Sequence, residues 1–277
     1  MTERTERLGA SLVQHGPGSD RVYLMELAEA DLPQLVDRLG ELAQRNRYGK
    51  IIGKIPADHV SLFRRQGYVT EARVPGFFRG RVDGHFMAKY LDSSRSQFDQ
   101  ASQVEEGLAV ARERALGRPS APPAGVRLAR CGPDDVAAMA ELYRLVFPSY
   151  PFPIHEPSFL AECMADHVIF MGAWQGKELV ALASAEQYPQ ASHAELTDFA
   201  TLPEYRRRGL AGALLGAVEG QARSQGFALV YTIARALSVG MNVTFARGGY
   251  DFGGTLINNT QISGRIETMN VWYKLLK

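Results

Sequence analysis

Cysteine is scarce: the 277 residues contain two, Cys131 and Cys163. Neither belongs to a CxxC pair or a Cys/His cluster, which argues against a zinc site. They read as two buried thiols of a cytoplasmic protein, with a single disulfide as the alternative. The amino-terminal MTERTERLGASLVQHG lacks the apolar run of a signal peptide. No stretch approaches the length of a membrane span, so the expectation is a soluble protein of the cytoplasm. Excess charge is missing too. The chain carries 31 Lys and Arg against 30 Asp and Glu, a net +1. That balance points away from general nucleic-acid or membrane binding, which usually rests on a marked basic excess. Neither GxxxxGK[ST] nor GxGxxG occurs, which excludes the Walker loop and the usual dinucleotide fingerprint.

What is present is a 45% hydrophobic chain, long enough for one large domain or two small ones. The clearest linker is LGRPSAPPAGV, Leu116 to Val126, whose proline, glycine and small residues resist regular structure. A boundary near Pro122 gives two domains, 1–121 and 122–277. The second half alternates regularly. A short strand at Val126–Ala129 precedes helix patterns in PDDVAAMAELYRLVF and PSFLAECMADH. VIFMGAW and ELVALASAEQY read as strands joined by QGK, and AELTDFATL as a third strand. An alanine- and leucine-rich helix follows, then the apolar strand FALVYTIAR and the helix VGMNVTFARG, stopped by Gly248 and Gly249. YDFGGTLINNTQI and ETMNVWYKLL close the chain as strands. The fold class is α/β, a mixed sheet with antiparallel strands at its ends.

The first half carries an echo of the second. KIIGKIPADHVSLFRRQGYV (Lys50 to Val69) aligns without a gap on TIARALSVGMNVTFARGGYD (Thr232 to Asp251). Phe63, Arg65, Gly67 and Tyr68 fall on Phe245, Arg247, Gly249 and Tyr250, and Met87 falls on Met269. A preceding helix, DLPQLVDRLGELAQR, lacks any arginine–glycine start. The expectation is a duplicated half-domain that has lost its ligand loop.

The arginine–glycine stretch lies at the start of the second half's long helix, in EYRRRGLAGALLGAVEGQA, Glu204 to Ala222. The first N–H groups of a helix have no internal partner, and the helix dipole adds partial positive charge. Glycine lets a phosphate approach the backbone, and arginine adds permanent forked charge. The amides from Arg207 to Ala211 are therefore candidate donors to a pyrophosphate. A solvated arginine cluster on an ordinary amphipathic helix is the alternative.

RRRGLA resembles the (Gln/Arg)-x-x-Gly-x-(Gly/Ala) signature of the GCN5-related N-acetyltransferases (GNAT), matching at Arg206, Gly209 and Ala211. FATLPEY is similar to that superfamily's lead-in strand, and the element order from Val126 is similar to its whole fold. More narrowly, LTDFATLPEYRRRGLA, YTIARALSVGMN, GTLINNTQI and ETMNVWYKLL resemble the β-lysine N6-acetyltransferases. The resemblance implies a C-terminal GNAT fold preceded by a degenerate GNAT-like half-domain. It implies acetyl-CoA as co-substrate, contacted by Phe199, Thr201, Arg206, Arg207, Arg208, Gly209, Leu210 and Ala211, with no metal. It implies acetyl transfer to the N6 amine of β-lysine, whose product would suit a compatible solute.

A lysine-type ammonium has a pKa of about 10.4, so roughly 1 molecule in 2,500 is neutral at pH 7. A basic group must remove its proton. Glu195 is the first candidate and Asp198 the rival. Strand alternation puts Glu195, Thr197 and Phe199 on one face and Asp198 on the other. The superfamily's thiolate-protonating tyrosine corresponds here to Phe245, so that role has no clear holder. Arg235, Asn258, Asn259, Glu267 and Asn270 are the expected substrate-binding residues, near strand ends of the family-like segments. Other readings are the same chemistry on another small amine, a polyamine or a protein lysine, or a non-catalytic acyl-CoA-binding module. The first half could shape the amine pocket, cover the sheet edge or form a homodimer. Neither nucleic acid nor membrane is expected as a partner.

Overall fold

The computed structural model describes residues 3–115 and 121–276. Residues 116–120 of the expected linker lie outside them. The first half runs β1 (Arg4–Leu8), β2 (Ser11–Gly16), β3 (Arg21–Glu26), α1 (Gln34–Asn46), β4 (Lys50–Pro56), α2 (Val60–Arg65), β5 (Val69–Phe78), β6 (Val82–Tyr90) and α3 (Ala101–Glu113). The second runs β7 (Val126–Arg130), α4 (Val136–Val146), α5 (Pro157–Ala165), β8 (Val168–Gln175), β9 (Glu178–Tyr188), β10 (His193–Thr201), α6 (Leu210–Ser224), β11 (Leu229–Arg235), α7 (Val239–Arg247), β12 (Asp251–Ile262) and β13 (Arg265–Leu275). The fold is mixed α/β with a mostly antiparallel sheet, as the sequence implies.

All strands join one sheet in the order β1-β2-β3-β4-β6-β5-β12-β13-β11-β10-β9-β8-β7. The run β5-β6-β4-β3-β2-β1 matches β12-β13-β11-β10-β9-β8 strand for strand outward from the centre. The parallel pairs, β3 with β4 and β10 with β11, occupy equivalent places. The aligned residues share local geometry as well. Phe63 and Tyr68 meet edge to face at 5.1 Å, and Phe245 and Tyr250 at 5.7 Å. The Tyr68 amide donates to the Phe63 carbonyl as that of Tyr250 does to Phe245. The α1 start differs from that of α6, because Pro33 opens it and supplies no N–H.

The two runs meet at β5 and β12 through one register pair, Gly254 opposite Ala72. Buried polar groups reinforce that seam. The Lys50 Nζ donates to the Glu71 carboxylate at 2.8 Å and to the Ile257 carbonyl at 2.6 Å. Arg95 pairs with Asp20 at 2.7 Å and donates to the Ser19 and Asn258 carbonyls. Strand alternation decides what each face of the first half does. In β3 and β4, Val22, Leu24, Ile51 and Ile55 belong to the core beneath α1. Arg21, Tyr23, Lys50 and Lys54 therefore occupy the opposite face, which turns toward the second half. Although α3 precedes the linker, it packs on α7 and buries Val104, Leu108 and Ala111 in the larger core.

Cys131 and Cys163 are both free, and only Cys131 is fully buried. Burial raises each thiol to about 12. Among the described residues no helix is long and apolar enough to cross a membrane.

Candidate active site

The parallel pairing of β10 with β11 covers only His193–Glu195 against Leu229–Tyr231. Beyond it the strands are no longer bonded to each other, and two adjoining cavities occupy the cleft. One, of about 510 Å³ including space open to solvent, is lined by Thr197, Asp198 and Phe199 of β10, Thr232–Arg235 of β11, and Ser238, Met241 and Phe245. The other, of about 620 Å³ including space open to solvent, is bounded by Glu186, Tyr188, Glu195 and Asn259 and by Arg21, Tyr23 and Lys54 of the first half. Tyr150, Thr197, Asp198, Ile233, Ile262 and Met269 border both.

A β-bulge sets the shared wall. Thr197 pairs with Ser184 and Ala200 with Leu182, so β10 spends one extra residue there. Asp198 takes a φ of 53° and joins Glu195 and Thr197 in lining the same cavity. The expected placement of Asp198 on the opposite face is thus corrected: the bulge breaks the alternation. The Asp198 carboxylate accepts hydrogen bonds from Tyr150 Oη at 2.6 Å and Ser184 Oγ at 2.7 Å. Burial raises its pKa and these bonds oppose the rise.

Glu195 accepts a 2.6 Å hydrogen bond from Tyr231 Oη on its Oε2. Burial raises its pKa, while Lys54 and the Tyr231 bond pull it back. Glu186 stands directly across the β9–β10 ladder from Glu195. Burial, followed by repulsion from Glu195 and Asp198, lifts its pKa to about 8. Lys54 is 5% exposed, and its ammonium lies 5.0 Å from the Tyr188 ring centroid and 5.6 Å from that of Tyr23. Burial disfavours its charge, but Tyr23, Glu195 and Glu186 outweigh that and raise its pKa.

Glu186 gives a pH-dependent expectation. Its folded-state pKa of about 8 lies above the ordinary 4.5, so the folded protein holds a proton that the unfolded chain releases. Stability should therefore fall as pH rises from about 4.5 through about 8. Glu186→Gln is expected to match wild type near pH 4 and to melt higher near pH 9. Equal melting temperatures at pH 9 would refute that placement of the carboxyl.

The loop after β10 holds the other half of the site. Arg207 and Gly209 have φ of 63° and 80°, and Gly209 caps α6. Glycine takes that left-handed conformation without strain. The backbone N–H groups of Arg207 through Gly212 donate to no protein group among the described residues. Arg206, Arg207 and Arg208 are exposed around this amide row. Arg206 Nε donates to the Thr201 carbonyl at 3.2 Å, and the Arg208 guanidinium lies 5.0 Å from the Tyr205 ring centroid. Leu210 buries its side chain in the core, leaving its amide, with that of Ala211, for the row. Such a row of free donors beside cations suits a diphosphate, and the adjacent cleft suits an extended thioester arm.

The expected substrate residues separate. Asn259 lines the larger cavity, and Arg235 the smaller one. Glu267 pairs with Thr260 in the β12–β13 ladder and borders neither cavity. Asn258 instead donates its side-chain amide to the Arg95 and Gln97 carbonyls, tying β12 to the first half. Asn270 is fully buried between Thr255 and Asn242, whose Oδ1 also accepts from Trp272. These two asparagines bond protein groups away from the cavities. Phe245 lines the smaller cavity, edge to face with Phe199, and brings no hydroxyl there. Tyr250 directs its hydroxyl to Glu219. Sequence reasoning missed Arg21, Tyr23, Lys54, Tyr150, Glu186 and Tyr188. The available signal was a charge inside an otherwise apolar strand, as in VALASAEQY and KIIGKIP.

Residues 137–241 match the family model of the acetyltransferase (GNAT) family. The chain is 30% identical over 273 residues to the β-lysine N(6)-acetyltransferase of Methanococcus maripaludis, covering 99% of each. It is 32% identical to the N-acetyltransferase YodP of Bacillus subtilis, over 90% of this chain and 88% of that one. A second β-lysine N(6)-acetyltransferase, from Methanosarcina mazei, is 29% identical over 88% of this chain and 97% of its own. The open parallel strand pair, the bulge and the free amide row thus coincide with the family match, and the chain belongs to the GNAT N-acetyltransferase family that includes the β-lysine N6-acetyltransferases.

Proposed function

We propose that the protein transfers the acetyl group of acetyl-CoA to the N6 amine of β-lysine, giving N6-acetyl-β-lysine as a compatible solute of the cytoplasm. The observation that carries this reading is the mixed charge of the larger cavity. Glu186, Glu195 and Asp198 share it with Lys54 and Arg21. β-Lysine has two ammonium groups and one carboxylate, so it needs acidic and cationic walls together. A polyamine offers only cations and would leave two buried positive groups facing its own charge.

The amides of Arg207–Gly212 and the exposed Arg206–Arg208 would hold the diphosphate of acetyl-CoA. Phe199 and Thr201 would flank its arm between β10 and β11. When bound, acetyl-CoA supplies the activated thioester. Glu195 is our choice for the proton acceptor, directly or through one water. Both Asp198 oxygens already accept protein hydrogen bonds, whereas Glu195 Oε1 accepts none among the described residues. Lys54 favours the ionised form of Glu195. Asn259 and Arg235 remain candidates for contacts at opposite ends of the cleft.

The first half, 1–121, reads as a duplicated GNAT-like half-domain before a catalytic domain of 122–277. Its matched strand order, paired Phe–Tyr contacts and proline-blocked α1 start support a copy that kept the scaffold and lost the loop. In its present role it closes the amine cavity.

The test is thiol release from acetyl-CoA with β-lysine, lysine, spermidine and a lysine-containing peptide. The highest kcat/KM is expected for β-lysine. A clear preference for spermidine or the peptide would overturn the substrate assignment.

A further inference from the structure

Four basic side chains of the first half, Arg21, Lys50, Lys54 and Arg95, are buried at or near its seam with the second. Lys50 meets the Glu71 carboxylate at 2.8 Å, and Arg95 meets Asp20 at 2.7 Å. Arg21 and Lys54 are different: neither has a carboxylate within ion-pair distance among the described residues. Arg21 is 4% exposed, and Glu3 and Glu195 favour its charge only from beyond that distance. Among the described residues its guanidinium makes one protein hydrogen bond, from Nη1 to the Asn259 carbonyl at 2.7 Å, and its Nε is buried without a partner. The Tyr23 ring, 4.9 Å from the guanidinium carbon, covers one side.

A buried cation without a counter-ion is costly, and a planar guanidinium is shaped to take a carboxylate through two parallel hydrogen bonds. Arg21 also borders the larger cavity and not the smaller one. Lys54, the other cation of that cavity, donates to Tyr231 Oη at 3.4 Å, and Glu195 and Glu186 favour its charge, so Arg21 is the cation left with a buried, unpartnered N–H. Resting on the reading of the acceptor as an amino acid, we propose that Arg21 binds the acceptor's carboxylate and so selects which amine reaches the thioester. In β-lysine one methylene separates the amine-bearing C3 from the carboxylate, and the N6 amine lies three methylenes further on. Holding the carboxylate at Arg21 keeps the C3 amine in the far part of the cavity and extends N6 toward the shared wall at Thr197 and Asp198. Position rather than basicity then decides the product.

The experiment pairs each acid with its amide: β-lysine with 3,6-diaminohexanamide, and lysine with lysinamide. The wild type, Arg21→Gln and Arg21→Lys are compared by kcat/KM, and the ratio of N6 to N3 product from the β-lysine pair is read by NMR. The wild type is expected to prefer each acid by about a hundredfold, in line with a charge-assisted pair. Arg21→Gln should abolish that preference, leave the amides within about threefold of wild type and acetylate both nitrogens of β-lysine. Arg21→Lys, which keeps the charge, should retain part of the preference and covers the case in which the glutamine variant is unstable. Equal losses on acids and amides in either variant, or an undiminished acid preference, would overturn the role of Arg21. If the lysine pair proves far better than the β-lysine pair while Arg21 still sets the acid preference, the substrate reading fails and this one stands.

Discussion

Glu195→Gln is expected to lower kcat with β-lysine by about a hundredfold or more near neutral pH, the scale of a lost general base. Acetyl-CoA affinity should stay close to wild type, because the diphosphate donors are the amides of Arg207–Gly212, on a different segment. Glutamine keeps the size of the side chain and can still accept from Tyr231. What it loses is the ability to take a proton from an ammonium that is almost entirely charged at pH 7. The defect should shrink at high pH, where more of the amine is already neutral. Glu186→Gln offers a contrast. That carboxyl holds its proton to about pH 8, so its replacement should cost less at neutral pH than that of Glu195. A Glu195→Gln enzyme with near wild-type kcat from about pH 6 to about pH 9 would remove Glu195 from the role.

Gly254→Ala is expected to destabilise the protein by about 3 kcal/mol or more, from strain at a special φ together with overpacking. Gly254 has a φ of 144°, and an added Cβ would lie 2.2 Å from the Glu71 carbonyl oxygen and 2.6 Å from Ala72 Cα. Those atoms are backbone and cannot swing aside. Gly254 is also half of the single register pair joining β5 to β12. Displacing Glu71 disturbs its contacts with Lys50, Tyr90 and the Ile257 amide, the polar centre of the seam. Because the same seam sets Arg21 and Lys54 over the amine cavity, KM for the amine should rise in whatever fraction stays folded. Urea denaturation followed by circular dichroism checks the first effect, and steady-state kinetics the second. An unchanged urea midpoint would mean that the two strands do not approach as described.

The elements of the second half were legible because each carries its own local signal. α4 follows a proline and two acids, α7 stops at a glycine pair, and β8 and β9 flank a tight turn at Gly176. The free amide row was legible for a similar reason: the first N–H groups of a helix have no internal partner, and the glycine and three arginines mark where that helix begins. The bulge at Asp198 was not, since nothing in HAELTDFAT marks the one residue that breaks the alternation. Asn258 and Asn270 lie away from the cavities because an amide serves a protein network as readily as a substrate. Asn270 lies within such a network, and Asn258 stitches β12 to the loop after β6. Arg21 and Lys54 were invisible as site residues for a topological reason. Arg21 meets Asn259 across 238 positions of sequence, and Lys54 meets Tyr231 across 177. No local pattern reports a contact of that range. Alternation in RVYLME and KIIGKIP could only have placed both cations on the face away from Val22, Leu24, Ile51 and Ile55.

A crystal structure with acetyl-CoA bound is the most direct measurement. The diphosphate is expected on the amides of Arg207 to Gly212, with the thioester between β10 and β11 at the wall formed by Thr197 and Asp198. A nucleotide found elsewhere, with those amides facing solvent and the strand gap filled by side chains, would contradict the assignment of this cleft as the acetyl-transfer site.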